Sequence, residues 1–539
     1  MRRPLWVLFV LLIASFVEHL PAQVRSSDKD LKTEFRTSDR CVACHNGLKT
    51  KSGEDISIGL QWQASIMANS ARDPYWQGSI RRESIDHPES KADIENECSI
   101  CHMPITHFVA KSEGRKAEVF SHLPLAAAQK HDAAADGVSC AVCHQIEKTG
   151  LGTTESFNGN FVIEGPQDKD KRPEYGPFVM DHGHQRVMQS STGGFVPQDS
   201  AHIRDAALCG SCHTLYTKAL GANGQQIGTL PEQMPYLEWL HSDYPKKNTC
   251  QSCHMPEVHE AVAITALYGQ PREGMHRHEF IGGNFLVQRM LNEHRADLSV
   301  AAEPEELTTA ADRTVDFLKS QSARVTIRNV QGSARGVSLD VLVQNLTGHK
   351  FPTAYPSRRA WLHVTVRDRN GRVIFESGAL NPDGSIVGNL NDADPRRYEP
   401  HHREITSAQQ VEIFEPILMD SYKNVTTGLL SAVGYLKDNR ILPSGFDKRS
   451  ADRDIAVVGD ALDDPNFTDK GSLIRYVVNT ANASGPFHIA VELWYQPIGF
   501  RWAHNLETYN AMEPQRFVGY YESEARRSAV MLTKAEATR

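Results

Sequence analysis

Residues 200–213 read SAHIRDAALCGSCH, and the last five of them, Cys209-Gly-Ser-Cys212-His213, decide how the first half of the chain must fold. C-x-x-C-H is the attachment signature of c-type haem: two thiols add to the vinyl groups of one porphyrin, and the adjacent imidazole reaches its iron. A single such pentapeptide has other readings, a redox dithiol or half of a zinc site among them. The pattern recurs at Cys41-Val-Ala-Cys44-His45, Cys98-Ser-Ile-Cys101-His102, Cys140-Ala-Val-Cys143-His144 and Cys250-Gln-Ser-Cys253-His254. The 539 residues contain 10 cysteines, and the five motifs use all of them. Nothing is left for a disulfide, a free nucleophile or a thiolate zinc site, and neither alternative puts a histidine after every pair. The sequence therefore predicts five covalent haem c groups, with His45, His102, His144, His213 and His254 as the proximal iron ligands.

The N-terminus agrees. Arg2 and Arg3 precede an apolar run to about Val17, and Leu20-Pro-Ala22 offers a small-residue cleavage site, so residues 1–22 read as a secretory signal peptide. The run is short for a membrane span, which leaves an uncleaved anchor as the alternative. Export to the periplasm or cell surface is expected. The net charge of -8, made more negative by haem propionates, disfavours nucleic acid and anionic membranes as partners. Other redox proteins, as electron donor and acceptor, are the partners expected.

Motif starts lie 57, 42, 69 and 41 residues apart, so there is no tandem repeat. The intervening segments are polar and rich in Gly, Pro and Asp, with short helices expected over 62–71, 125–135, 232–241 and 284–296. Such a chain buries little apolar surface of its own, and haem must supply its core. Glu303-Pro-Glu-Glu306 begins a linking helix to about Lys319. Beyond it the apolar pattern turns to period two over 324–330, 337–343, 361–366 and 487–494, with Asp368-Arg-Asn-Gly371 as a hairpin turn. The fold class expected is α+β: a haem-packed domain of short helices and loops over 23–318, then an antiparallel β-sandwich over 319–539. Residues 522–539 read as helix or frayed tail.

Function turns on the sixth iron ligand. An iron with two protein ligands passes electrons, whereas an open one can bind and convert small molecules. There are 24 histidines; with the five proximal ones and His19 of the signal peptide set aside, twelve remain in the haem half and six in the β half. His202 stands seven residues before Cys209, close enough for a short link to lay it over a neighbouring haem. His131, with His122 as its rival, precedes Cys140. His278, beside His276, precedes Gly282-Gly283. Met67 is a thioether alternative or a helix core residue, and His182, His184 and Met188 form a reserve cluster. In the β half, Asn345-Leu-Thr-Gly-His349-Lys-Phe-Pro-Thr353 projects His349 from a Gly/Pro loop, and Arg358 and Arg359 follow it as possible partners of haem propionates.

The stretches DGVSCAVCH (136–144), LCGSCHTL (208–215) and CQSCHMP (250–256) resemble those of the cytochrome c-552/c-554-like class of exported multihaem c-type cytochromes. The stretch GHKFPTAYPSRRAWL (348–362) resembles a G-H-x-x-P-T-G loop of such proteins, in which the histidine is thought to reach a haem; here Ala354 stands where that pattern has Gly. The likeness covers roughly 40–365. Pentahaem nitrite reductases share the haem number but typically carry one CxxCK site, and all five motifs here end in His. Octahaem hydroxylamine oxidoreductases and tetrathionate reductases share the haem style but have more sites.

One more loop, 381–394, is dense in oxygen donors (Asn381, Asp383, Asn389, Asn391, Asp392, Asp394) and could hold Ca²⁺, although it lacks EF-hand spacing. The expectation is an exported pentahaem cytochrome that transfers electrons. The alternative is a multihaem oxidoreductase with one open iron, acting on a small nitrogen or sulfur compound. A third is a docking role for the β half.

Overall fold

The structure is a computed structural model that describes residues 35–125, 132–163, 171–333, 336–480 and 483–539. The signal-peptide segment 1–22 and His131 lie outside the described residues. Helices and antiparallel sheets are mixed, as an α+β chain requires.

The helices of the first half are short because their capping and turn residues stop them early. Five matter here: α1 (Asp39–Val42), α2 (Pro74–Asp86), α3 (Lys91–His102), α4 (Cys140–Cys143) and α5 (Ala206–Gly210). Asp73 caps α2 through the backbone N–H groups of Tyr75 and Trp76, with Pro74 at the first position. The helix expected over 62–71 spans only Ile58–Gln63: the Asn69 side chain donates to the carbonyls of Gln63 and Ser65 and holds that stretch in turns. The helix expected over 232–241 starts at Pro235, because Gln226–Gln233 is a strand paired with Leu215–Leu220. Next come α6 (Pro235–Leu240), α7 (Cys250–His254), α8 (Phe285–Glu293) and α9 (Pro304–Gln321), the expected linking helix, closed at its start by a Glu303/Glu306 capping box.

The second half is built from β1 (Ala323–Ser333), β2 (Gly336–Asn345), β3 (Arg359–Arg367), β4 (Val373–Ser377), β5 (Pro416–Asp420), β6 (Ala432–Asp438), β7 (Gly471–Asn479), β8 (His488–Gln496) and β9 (Val530–Thr538). One sheet runs β7-β2-β1, with Phe467–Thr468 and Glu404–Ile405 flanking β7; the other runs β3-β8-β9, with β4 and Ile413–Phe414 on β3. Alternate residues of the two sheets share one apolar core: Val337, Leu339, Val341 and Val343 from β2, Ile474, Tyr476 and Val478 from β7, Leu362, Val364 and Val366 from β3, Ile489, Val491 and Leu493 from β8. The residues between them face away, and Trp361 packs with Trp494 in a separate cluster. The 522–539 expectation needs correcting. Helix α10 (Met512–Glu524) ends at residue 524, and 530–538 is a full strand on β8, because Met531-Leu-Thr-Lys-Ala535 completes the alternation of its neighbour.

The two halves are not joined by α9 alone. Phe285, Leu286, Met290 and Leu291 of α8 belong to the same apolar core as the sheets, and α10 packs along α2, with Arg81 paired bidentately to Glu513. A buried histidine ties the second half internally. His401 donates from Nδ1 to Glu412 (2.7 Å) and from Nε2 to Asp464 (3.0 Å). Burial opposes its charge, but Glu412 and Asp464 outweigh it and raise its pKa from 6.5 to about 9. A raised folded-state pKa contributes stability that is whole below pH 6.5 and lost as pH rises through about 9, on the order of 3 kcal/mol in all. Denaturation midpoints measured at pH 6 and pH 10 should differ more for the native chain than for His401→Gln; equal differences would show that His401 carries no such linkage.

Candidate cofactor-binding site

Every motif sits on one short helical turn, which puts the two cysteines and the histidine of each on one face. All ten cysteines are of intermediate exposure, and none is paired in a disulfide. Cys41, Cys98, Cys101, Cys140, Cys143, Cys209, Cys212, Cys250 and Cys253 line a single cavity of about 1550 Å³, together with all five motif histidines; Cys44 alone lies outside its lining. Such a volume exceeds the ~300–1,000 Å³ of an ordinary small-ligand pocket. Among the described residues no three His, Cys, Asp or Glu converge as a group that could hold a metal ion.

Four of the five motif imidazoles are oriented by the main chain. Nδ1 donates to a carbonyl oxygen in each: His45 to Ile264 (2.6 Å), His102 to Ser70 (2.8 Å), His144 to Tyr175 (2.6 Å) and His254 to Ile281 (2.5 Å). That bond fixes the tautomer and leaves the lone pair on Nε2, the arrangement of a metal-ligating histidine. Burial holds the rings neutral: it lowers the pKa of His102 and His213 to about 4, helped at His213 by His254 and Arg358. These carbonyls carry no side-chain signal, which is why sequence reading missed Ile264, Ser70, Tyr175 and Ile281.

Two further imidazoles face motif histidines. His278 stands opposite His144 with ring centres 6.3 Å apart and planes 15° from parallel; His349 stands opposite His254 at 6.2 Å and 15°. Each also gives its Nδ1 proton to a carbonyl, that of His276 (3.0 Å) and Lys350 (2.9 Å) respectively, so Nε2 is again the lone-pair nitrogen. Burial pushes His278 down to about 3 and His349 to about 4. His349 is the expected loop histidine, carried across from the β half.

The other expected ligands are placed differently. His202 uses both ring nitrogens: Nε2 donates to the Ile146 carbonyl (2.7 Å), and Nδ1 accepts from the Ser200 hydroxyl (2.7 Å). Its ring packs edge-on against Tyr175, whose carbonyl orients His144. His202 therefore braces the support of motif 3 rather than lining the cavity. Met67 does line it. His182 and His184 lie on an exposed helix, His182–Thr192, with His184 paired to Asp181. Arg358 lines the cavity and donates to the Thr353 carbonyl (3.1 Å), whereas Arg359 is buried in a bidentate pair with Asp392 (2.7 and 2.9 Å) and has no access to a propionate. In the 381–394 loop Asp392 is paired with Arg359, Asp394 with Arg396, and Asp383 accepts from the Ser385 hydroxyl.

The motifs touch in a definite order. The neighbouring Cys140 thiol and burial raise the pKa of Cys41, Cys212 and burial that of Cys101, and Cys250 and burial that of Cys209, while burial and then Cys212 raise that of Cys143. Motif 1 meets motif 3, motif 3 meets motif 4, and motif 4 meets both 2 and 5. Packing at motif 4 has no slack. A Cβ on Gly210 would fall 2.7–2.9 Å from the Tyr236 ring of α6. Gly210→Ala should lower thermal stability by about 1–3 kcal/mol at full haem content; an unchanged melting temperature would mean that α6 shifts freely.

No protein-family model and no curated protein matches the chain. Its fold is similar to that of a solved structure, a penta-heme cytochrome c552 from Thermochromatium tepidum, with a TM-score of 0.54 at 15% sequence identity, over 94% of this chain and 100% of that one.

Proposed function

We propose that the chain is a pentahaem c-type cytochrome that transfers electrons outside the cytoplasm. The observation that carries this reading is the convergence of all five CxxCH motifs on one cavity. The residues fit the group. An apolar cavity of this size would cost roughly tens of kcal/mol if nothing filled it, against a folding stability of only about 5–15 kcal/mol. Two imidazoles sharing one six-coordinate metal, each nitrogen about 2 Å from it, have ring centres roughly 6 Å apart. The His144–His278 and His254–His349 separations of 6.3 and 6.2 Å meet that requirement. Haem supplies a one-electron couple when bound. The cysteines anchor it, the carbonyl-held imidazoles ligate without a proton to lose, and Arg358 is placed to balance a propionate. The contacts between motifs give the order 1–3–4, with 2 and 5 both reached from 4. On this reading residues 1–22 direct export to the periplasm or cell surface, 23–318 form the haem domain and 319–539 the β-sandwich domain, and donor and acceptor are other redox proteins.

A second reading is kept by one observation. No described histidine faces His45, His102 or His213 as His278 and His349 face their motif histidines. An open iron at one of those three would favour an oxidoreductase acting on a small nitrogen or sulfur compound. Intact mass after maturation should correspond to five haems, and free thiols with four or fewer would sink the proposal. Carbon monoxide added to the reduced protein should leave the spectrum of a carrier nearly unchanged; stoichiometric binding at one haem would move the reading to the oxidoreductase.

A further inference from the structure

The Asn345 amide and the Lys350–Asp438 pair hold the His349 loop within the β half, and the proposed role of His349 raises the question of what ties that loop to the first half. Three residues of α6 face three different parts of the site. Tyr236 packs against Gly210 inside motif 4, and Trp239 donates from Nε1 to the Asn248 carbonyl (3.1 Å), two residues before Cys250. Between them, Glu238 is fully buried and turned to the 348–353 loop. Its Oε2 accepts from the Lys350 backbone N–H (3.1 Å) and from the Thr353 hydroxyl (2.5 Å), one bond on each side of the Phe351-Pro352 pair. Its Oε1 lies 2.9 Å from Arg440 NH1, an ionic contact without hydrogen-bond alignment. Arg440 is paired with Asp438 (2.7 Å), and Asp438 with the buried Lys350 Nζ (2.7 Å). Two cations and two carboxylates thus close a neutral ring around the residue next to His349. A buried set of this kind is strong evidence of placement, since removing any member strands a charge.

We infer that Glu238 is the positioning residue for the sixth ligand of the motif-5 haem: it acts through the loop, fixing where His349 stands, and touches no cofactor itself. The inference rests on reading His349 as that ligand. It explains why a loop from the second half keeps a fixed distance to a motif in the first, and why α6 is shared between motifs 4 and 5.

The test uses the mature protein with its haems attached, and reads spin state by electron paramagnetic resonance and the rate of cyanide binding to the ferric form. His349→Ala is the reference. Glu238→Ala should reproduce its new high-spin signal at one haem in part or in full, with five haems retained. Added imidazole should restore the low-spin signal in both. Glu238→Gln keeps an acceptor for the loop and should lie between Glu238→Ala and the native protein. Should Glu238→Ala fail to fold, Thr353→Val decides: it removes one bond to the carboxylate without stranding a charge, and cyanide binding at one haem should quicken by roughly ten- to a hundredfold. If His349→Ala changes the spin state but Glu238→Ala and Thr353→Val leave spin state and cyanide rate as in the native protein, the positioning role is wrong and the ligand reading stands. If His349→Ala itself changes nothing, the ligand reading fails, and the inference falls with it.

Discussion

His349→Ala should convert one haem of five from low spin to high spin while all five stay attached. On the proposed reading the covalent bonds would be at Cys250 and Cys253, and His254 keeps its own support at the Ile281 carbonyl, so neither attachment nor the proximal ligand would depend on His349. What is lost is the imidazole 6.2 Å across from His254. Nothing else in the loop can replace it: Lys350 is buried in its pair with Asp438, and Thr353 is bonded to Glu238. The converted haem should bind cyanide or carbon monoxide, and its potential should shift. The Asn345 amide, which donates to the carbonyls of His349 and Ile441, should keep the loop folded, so the interface between the halves should loosen only slightly. Protease cleavage between residues 303 and 320 measures that. An unchanged spin state would send the search for the ligand to Met67 and His131.

The second large effect is on folding itself. Chain exported without haem attachment should not acquire its first half at all. Its apolar clusters are small: Ala71, Trp76, Ile80, Ile94, Met103, Val119, Leu125 and Ala134 make one, Phe35, Ile105, Ala141, Val142, Ile146, Phe161 and Phe195 another. Trp76, Ile80 and Ile94 of the first and Val142, Ile146 and Phe161 of the second line the cavity, and the two clusters stay separate. The sheets, with their own continuous core, should survive. Limited proteolysis of unmatured protein should degrade residues up to about 300 and leave a fragment containing 320–539. Equal resistance of both halves would mean that the first half packs without its cofactor.

Sequence and structure agree where the signal is periodic. Strict alternation placed β1, β2, β3 and β8 to within three residues at each end. The linking helix announced itself by Pro304 at its first position. What escaped was carried by groups with no side-chain identity or by pairing across long separations. The carbonyls that orient four motif histidines belong to residues 27 to 219 positions away. His202 looked like a ligand because it is close in sequence to Cys209, yet Ile146, 56 residues earlier, takes its Nε2 proton. His278 and His349 drew notice in the sequence for a different reason: each stands in a loop beside Gly or Pro residues. Strand β9 was missed because a terminal stretch rich in Lys, Glu and Arg reads as solvated until its partner β8 is known.

That last strand sets a timetable. On the proposed reading the chain would leave the export channel from its N-terminus, so all five motifs would emerge while the second sheet is still short of the edge that completes it. Strand β9 pairs along β8 and lies against β1, so that sheet is complete only with residues 530–538. Attachment of porphyrins to the thiols would then fall on an open, accessible chain, and the β half that carries His349 would close over motif 5 last.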